Sequence, residues 1–96
     1  MPSCRSSGVL TASSVILSGR CKLISIHAMN TGAGAETTVK VFDNTAASGK
    51  ELTRIILSPG QSAVEYDMHG VIASIGLYLE ISTGTGTGAA VSVEFN

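Results

Sequence analysis

Hydrophobic and polar residues alternate along most of the chain. The segment LISIHAM places Ile24, Ile26 and Ala28 on one side of an extended backbone and Leu23 and Met29 on the other. The same two-residue period recurs in TTVKVFD, AVEYDMH, LYLEIS and VSVEF. Successive side chains of a β-strand point to opposite faces, so each run buries one face and exposes the other. The pattern predicts strands, and the lack of apolar spacing at i, i+3, i+4 and i+7 predicts no long helix.

Turn-forming residues separate these runs at intervals of about 10–14 residues. Glycine, proline, asparagine and aspartate supply the backbone conformations that turns require. This spacing is typical of an all-β sandwich, so we predict that residues 1–96 form a single small antiparallel β-sandwich domain. We expect seven strands, with a short eighth at Val15–Leu17. The seven cover residues 6–12, 20–30, 37–43, 51–57, 62–68, 75–82 and 90–95.

Several strands carry apolar residues on both faces. Leu23, Met29, Phe42 and Tyr78 alternate with the residues predicted to form the core, so they project from the opposite face. One small sandwich cannot bury both faces of its strands. We therefore predict that these four residues contact neighbouring subunits around a symmetry axis, in a homo-oligomer for which we favour a trimer. The alternative is a monomer with isolated exposed apolar residues, which are common on protein surfaces.

Composition strengthens the expectation of assembly. Hydrophobic residues make up 44% of the chain and charged residues only 14%, with a net charge of −1. A surface with so little charge repels its own copies weakly. The six Lys and Arg residues are scattered, so we expect no nucleic-acid partner. No apolar run approaches the roughly 20 residues of a membrane helix, so we expect no membrane contact. The first residues lack the apolar core of a signal peptide, which predicts synthesis in a cytosol.

The glycine-rich segment TGTGTG is the first candidate for chemistry. A phosphate-binding loop of this kind precedes a helix, whose N-terminus binds the phosphate. Here Gly84, Gly86 and Gly88 precede AAVSVEF, which has the alternation of a strand. We therefore interpret the segment as the bend of a hairpin.

The remaining reactive residues are dispersed. His27 and His69 are not spaced like metal ligands, and the Asp-Asn pair beginning at Asp43 suits an Asx turn, with calcium ligation as the alternative. The chain shows neither a nucleophile elbow nor a Ser-His-Asp set. Cys4 and Cys21 are expected to be free thiols in a cytosol, although a disulfide is open to them if the first two strands pair. We predict no catalytic residues, no cofactor and no metal site.

Most of the chain resembles a group of short proteins, similar in length to this one, encoded by tailed bacteriophages, marine and cyanobacterial phages in particular. The shared pattern is an opening strand, a valine strand running into D-N-T-x-A-S-G, a P-G turn, a G-L-Y strand and a last valine strand. In this chain the corresponding pieces are Leu17–Ile26, Asp43–Gly49, Pro59–Gly60, Gly70–Val71, Gly76–Ile81 and Ala90–Phe95. The resemblance implies a jelly-roll-like β-sandwich among phage structural genes, where such proteins are uncharacterised or virion-associated.

These observations together predict a non-enzymatic structural protein of a phage particle, or one accessory to it. It would act by symmetric self-assembly in capsid decoration, a fibre or a spike, with other virion proteins as further partners. It would be located in the virion after synthesis in the host cytoplasm. The alternative is a lectin-like module for carbohydrate or a host receptor, in which the DNTAASGK and HG turns cluster and Tyr66 or Tyr78 contacts the sugar.

Overall fold

The computed structural model of the chain describes residues 5–32, 34–83 and 88–96, without the side chains of residues 63–69. Eight β-strands lie in this described part. This described part contains no helix, and the all-β prediction is confirmed. The strands are β1 (Arg5–Ser6), β2 (Ser14–Ser18), β3 (Cys21–Asn30), β4 (Thr37–Asp43), β5 (Lys50–Leu57), β6 (Ser62–Ala73), β7 (Gly76–Thr83) and β8 (Ala89–Phe95).

The strands form two four-stranded antiparallel sheets. The order is β1-β8-β3-β6 in the first, here called sheet A, and β2-β7-β4-β5 in the second, sheet B. Only β4 and β5 are consecutive in the chain and adjacent in one sheet, whereas each other connection crosses to the opposite sheet. Two packed four-stranded sheets joined in this way form a jelly roll, as the resemblance implied.

The core lies between the sheets and follows the predicted alternation. In β8 buried and half-buried residues alternate over all seven positions, and β4 has the same pattern from Thr37 to Val41. Removing each large aliphatic side chain from water stabilises the fold by about 1.5–3 kcal/mol before entropy is counted. The largest apolar side chains with less than 2% exposure are Ile26, Val39, Val41, Leu57, Leu77, Leu79, Val91 and Val93.

Three local predictions are corrected by the sheet topology. The segment predicted as strand 6–12 pairs with β8 only through β1 and a single bridge from Leu10 to Val91, whereas VIL does form the extra strand β2. The His-Gly pair predicted as a turn lies inside β6, where Gly70 has a φ of 77°. The TGTGTG segment is not the bend of a hairpin, because β7 and β8 belong to different sheets; residues 84–87 themselves lie outside the described part.

The prediction that Leu23 projects away from the core is wrong. Leu23 is 5% exposed and belongs to the core cluster. In the pairing of β3 with β8, Leu23 lies opposite Phe95 and Ser25 opposite Glu94, so Ile24 is an extra residue in a β-bulge. A bulge shifts the alternation by one residue. Leu23 therefore points inward like Ile26, on the other side of the bulge.

A buried asparagine joins the two sheets at the end of β3. Asn30 is 1% exposed, and its Nδ2 donates to the carbonyl oxygens of Ala35 at 2.9 Å and Leu57 at 3.2 Å. Its Oδ1 accepts from the backbone N–H of Gly32 at 3.1 Å. Because β3 belongs to sheet A and Leu57 ends β5 of sheet B, this side chain ties the sheets together.

Asn30→Asp is therefore expected to lower the free energy of unfolding by about 2–4 kcal/mol, because it removes both donors and places a carboxylate against two carbonyl oxygens in the interior. Urea unfolding followed by circular dichroism measures the change. The same substitution at Asn44, on a surface loop, is the matched control and should cost about 1 kcal/mol or less. Equal losses at the two positions would contradict the assigned role of Asn30.

Thr37, at the start of β4, differs from Asn30 in the hydrogen bonding of its buried polar group. It is fully buried, and its Oγ1 has no hydrogen-bond partner in the part of the chain that the structure describes. A buried hydroxyl without a partner carries a desolvation cost. Thr37→Val should leave the free energy of unfolding unchanged or raise it by up to about 1 kcal/mol. Thr37→Ser, which keeps the hydroxyl and loses the methyl group, should lower it by about 1 kcal/mol. A clear loss in the valine variant would show that the hydroxyl is needed.

Candidate functional surfaces

Asp43 makes the densest set of polar contacts at one end of the sandwich. Its Oδ2 accepts from the backbone N–H of Ser74 at 3.0 Å, and its Oδ1 accepts from Ile75 at 2.8 Å and Gly76 at 3.4 Å. These amides, with that of Ile75 first, lower the pKa of Asp43. The segment Ser74–Gly76 connects β6 of sheet A to β7 of sheet B. Asp43 therefore joins the sheets at the end opposite Asn30.

The loop after Asp43 is closed by its own side chains. Asn44 Nδ2 donates to the Ser48 carbonyl oxygen at 2.9 Å, and its Oδ1 accepts from the Thr45 N–H at 2.7 Å. Gly76 packs against the same region, since a Cβ there would lie 2.5 Å from the Leu17 carbonyl oxygen and 3.3 Å from that of Asn44. Two motifs of the resemblance, Asp43–Gly49 and Gly76–Ile81, are thus in contact at one end of the sandwich.

Titratable side chains do not converge on a reaction centre in the described ranges. No group of three or more His, Cys, Asp or Glu side chains lies close enough there to hold a metal ion. The calcium alternative at Asp43 would require a cation to displace three backbone N–H donors. Cys21 is a buried free thiol whose pKa is raised chiefly by burial; Cys4 lies outside the described residues.

The four predicted interface residues occupy three different places. Leu23 lies in the core. Met29 lies on the outer surface of sheet A and is half exposed. Phe42 and Tyr78 are directly opposed neighbours on β4 and β7, and they project from the outer surface of sheet B because Val41 and Leu79 fill the core. Two of the four residues therefore share a surface.

The outer surface of sheet B, here called the B face, consists of three cross-strand rows. Its central strands are β7 and β4, with β2 and β5 at the sides. Phe42 is only 8% exposed, whereas Val15 is 48% and Ile56 is 56% exposed. From β2 towards β5 the rows are Val15, Tyr78, Phe42 and Glu51; then Glu80, Lys40 and Arg54; then Ser82, Thr38 and Ile56.

The charges of the B face are balanced. Arg54 donates to both Glu51 carboxylate oxygens, at 2.9 and 3.0 Å, which lowers the pKa of Glu51 and raises that of Arg54. These side chains share a face because Leu52 is an extra residue in a β-bulge of β5. Lys40 Nζ lies 3.8 Å from Glu80 Oε1 in a looser pair. The face thus has two positive and two negative side chains beside a row of apolar ones.

The outer surface of sheet A has a shallow groove of about 340 Å³. Here called the A-face groove, it runs between Val9, which is 72% exposed, and Met29. Its other polar and small outer residues are His27, Ser62, Ala90 and Ser92. Sequence reasoning identified Met29 but missed Val9, because the segment around Val9 was predicted as a strand.

The carbohydrate-binding alternative relied on an aromatic residue beside the loops. Tyr78 lies near the start of β7 on the B face, directly opposite Phe42, which precedes the Asp43–Gly49 loop, and the side chain of Tyr66 lies outside the described part. Asp43 links the loop Asp43–Gly49 to Ser74–Gly76 by hydrogen bonds. Gly70, which the alternative placed in a turn beside that loop, lies within β6.

No protein-family model matches this chain, and no curated protein matches it. Among the residues that the structure describes, no helix has the length and apolar character needed to cross a membrane.

Asp43→Asn tests the link between the two sheets through its pH dependence. Because the pKa of Asp43 is lowered in the fold, the ionised carboxylate stabilises the protein above its ordinary pKa of about 3.9, and this contribution is lost as pH falls through the lowered value. The variant should be less stable than the parent at pH 7, and the gap should narrow below about pH 4. Urea unfolding across this range measures it.

The control for this prediction is Glu36→Gln, which removes one carboxylate from an exposed position. It should change stability at pH 7 less than Asp43→Asn does. A gap between parent and Asp43→Asn that stays constant down to pH 2.5, well below the ordinary pKa of an aspartate, would contradict the role of the ionised carboxylate.

Proposed function

We propose that this protein is a non-enzymatic structural component of a phage particle, or an accessory to one, and that it acts by symmetric association of identical copies. The observation that carries the proposal is the set of large apolar side chains left exposed on the outer surfaces of both sheets. Val15 and Ile56 are about half exposed on the B face, and Met29 is half exposed on sheet A.

The physical argument is one of burial. Covering such side chains contributes about 25 cal/mol per Å², from which the entropy cost of association must be subtracted. The weak net charge of −1 adds little repulsion between copies. Structural particles contain many copies of the same chain, so even a small contact, repeated by symmetry, is sufficient to build a stable body.

The particle role is supported by the sequence resemblance rather than by a reactive site. The resembling motifs include Asp43, which accepts from the Ile75 N–H, and Gly76, which packs against the Leu17 carbonyl oxygen. The proteins of tailed phages that the chain resembles are uncharacterised or virion-associated, and the virion-associated ones support a particle role. A virion location, with other virion proteins as neighbours, follows from the proposal.

Solution mass tests the association. Light scattering or sedimentation at rising concentration should give a defined multiple of 9.8 kDa, with the trimer at three times that mass as the arrangement favoured from the sequence. The series should reach about 1 mM, where an association free energy of about −4 kcal/mol becomes visible. A mass of one chain throughout the series would contradict the proposed function.

A further inference from the structure

We infer that the B face is the contact between copies, and that two copies meet there about a twofold axis parallel to the strands and midway between β7 and β4. This inference rests on the proposed self-association, assigns it to one surface, and gives it a twofold symmetry in place of the trimer favoured from the sequence. The occupant of the B face is therefore a second copy of this chain.

The register of the central strands carries the argument. Tyr78 on β7 lies opposite Phe42 on β4, and Glu80 lies opposite Lys40 in the adjacent row. The axis lies in the plane of contact, midway between these strands. A half-turn about it places β4 of the second copy over β7 of the first, and β7 of the second copy over β4 of the first. Tyr78 then faces Phe42 of the partner subunit, and Glu80 faces Lys40 of the partner subunit.

This arrangement makes the face complementary to itself. Each copy supplies one charged pair to the other, and its Tyr78 lies over the 8% of Phe42 that the single chain leaves exposed, so the symmetry forms every contact twice. Two sheets stacked face to face lie about 10 Å apart.

The charges determine where the twofold axis lies across the sheet. The intramolecular Lys40–Glu80 distance of 3.8 Å, with about 30% of each side chain still exposed, leaves donors and oxygens available for the partner. The bidentate pair of Glu51 and Arg54 lies towards the β5 side and is already neutral as a unit. Displacing the axis onto β4 would bring Lys40 against Lys40 of the partner subunit, which disfavours that alternative.

The A-face groove is a weaker candidate for the same role. Among the residues that the structure describes, its lining includes neither a Lys or Arg nor an Asp or Glu, so these residues offer no pair of opposite charges to align two copies. Its floor is made of small residues such as Ala90 and Ser92. The B face is preferred because its own pattern specifies one arrangement.

The size of the B face indicates the strength of the contact. Four strands at about 4.8 Å spacing and seven residues at about 3.4 Å rise cover about 19 by 24 Å. This is smaller than the roughly 800 Å² per partner of a standard interface. The contact is therefore expected to be weak and reversible, and it should be measured up to about 1 mM protein.

The test uses two charge reversals, alone and mixed. Lys40→Glu places glutamates against glutamates of the partner subunit, and Glu80→Lys places lysines against lysines, so each variant alone should associate at least about tenfold more weakly than the parent by sedimentation velocity. An equimolar mixture should recover association, because each glutamate then faces a lysine of the other variant. Both variants lack the intramolecular pair, so recovery on mixing arises only between chains.

Lys22→Glu is the matched control, since Lys22 is an exposed residue of β3 in sheet A, away from the B face. It should associate like the parent, and circular dichroism should show all three variants folded.

Parent-like association of Lys40→Glu or Glu80→Lys, or failure of the mixture to recover, would overturn the inference. A parent that forms only trimers would also overturn it, because a threefold ring uses a head-to-tail contact, while leaving the proposed function intact. A parent that stays monomeric would refute the proposed function itself.

Discussion

The repeated crossing of the chain between its two sheets is the constraint on which the structure depends. Each crossing carries backbone N–H and C=O groups away from the sheet hydrogen bonds and therefore needs other partners for them. Asn30 supplies these partners at one end of the sandwich through Ala35 and Leu57, and Asp43 supplies them at the other end through Ser74 to Gly76. The apolar core fills the space between these two polar links, and together they set the positions of both outer surfaces.

The sequence indicates individual strands well because alternation is a local property. β4 was predicted with its observed bounds, and β3, β5, β7 and β8 within one residue at each end. The sequence does not indicate which strands are neighbours, so the segment between β7 and β8 was interpreted as a hairpin although it joins different sheets. Leu23 was assigned to the wrong face for a related reason: the bulge at Ile24 becomes visible only when β3 is paired with β8.

The candidate surface was predictable in part. Alternation alone places Phe42 and Tyr78 away from the core, and the structure shows that they are direct neighbours. The charged row beside them required the cross-strand register, since Lys40 and Glu80 are far apart in sequence. Arg54 and Glu51 lie on one face only because of the bulge at Leu52. The charged residues that distinguish this surface from an ordinary half-exposed sheet are therefore brought together by long-range strand pairing.

The irregularities in β5 and β6 have a further consequence for backbone pairing at the sheet edges. These two strands are the sheet edges on the same side of the sandwich. In β5 the ladder is interrupted at Leu52, and in β6 the pairing passes from Val71 to Tyr66 while β3 advances only from Leu23 to Ser25. Such kinks prevent a flat edge from templating another chain by backbone hydrogen bonds. Open-ended growth by pairing of strand edges is thereby disfavoured on this side of the sandwich.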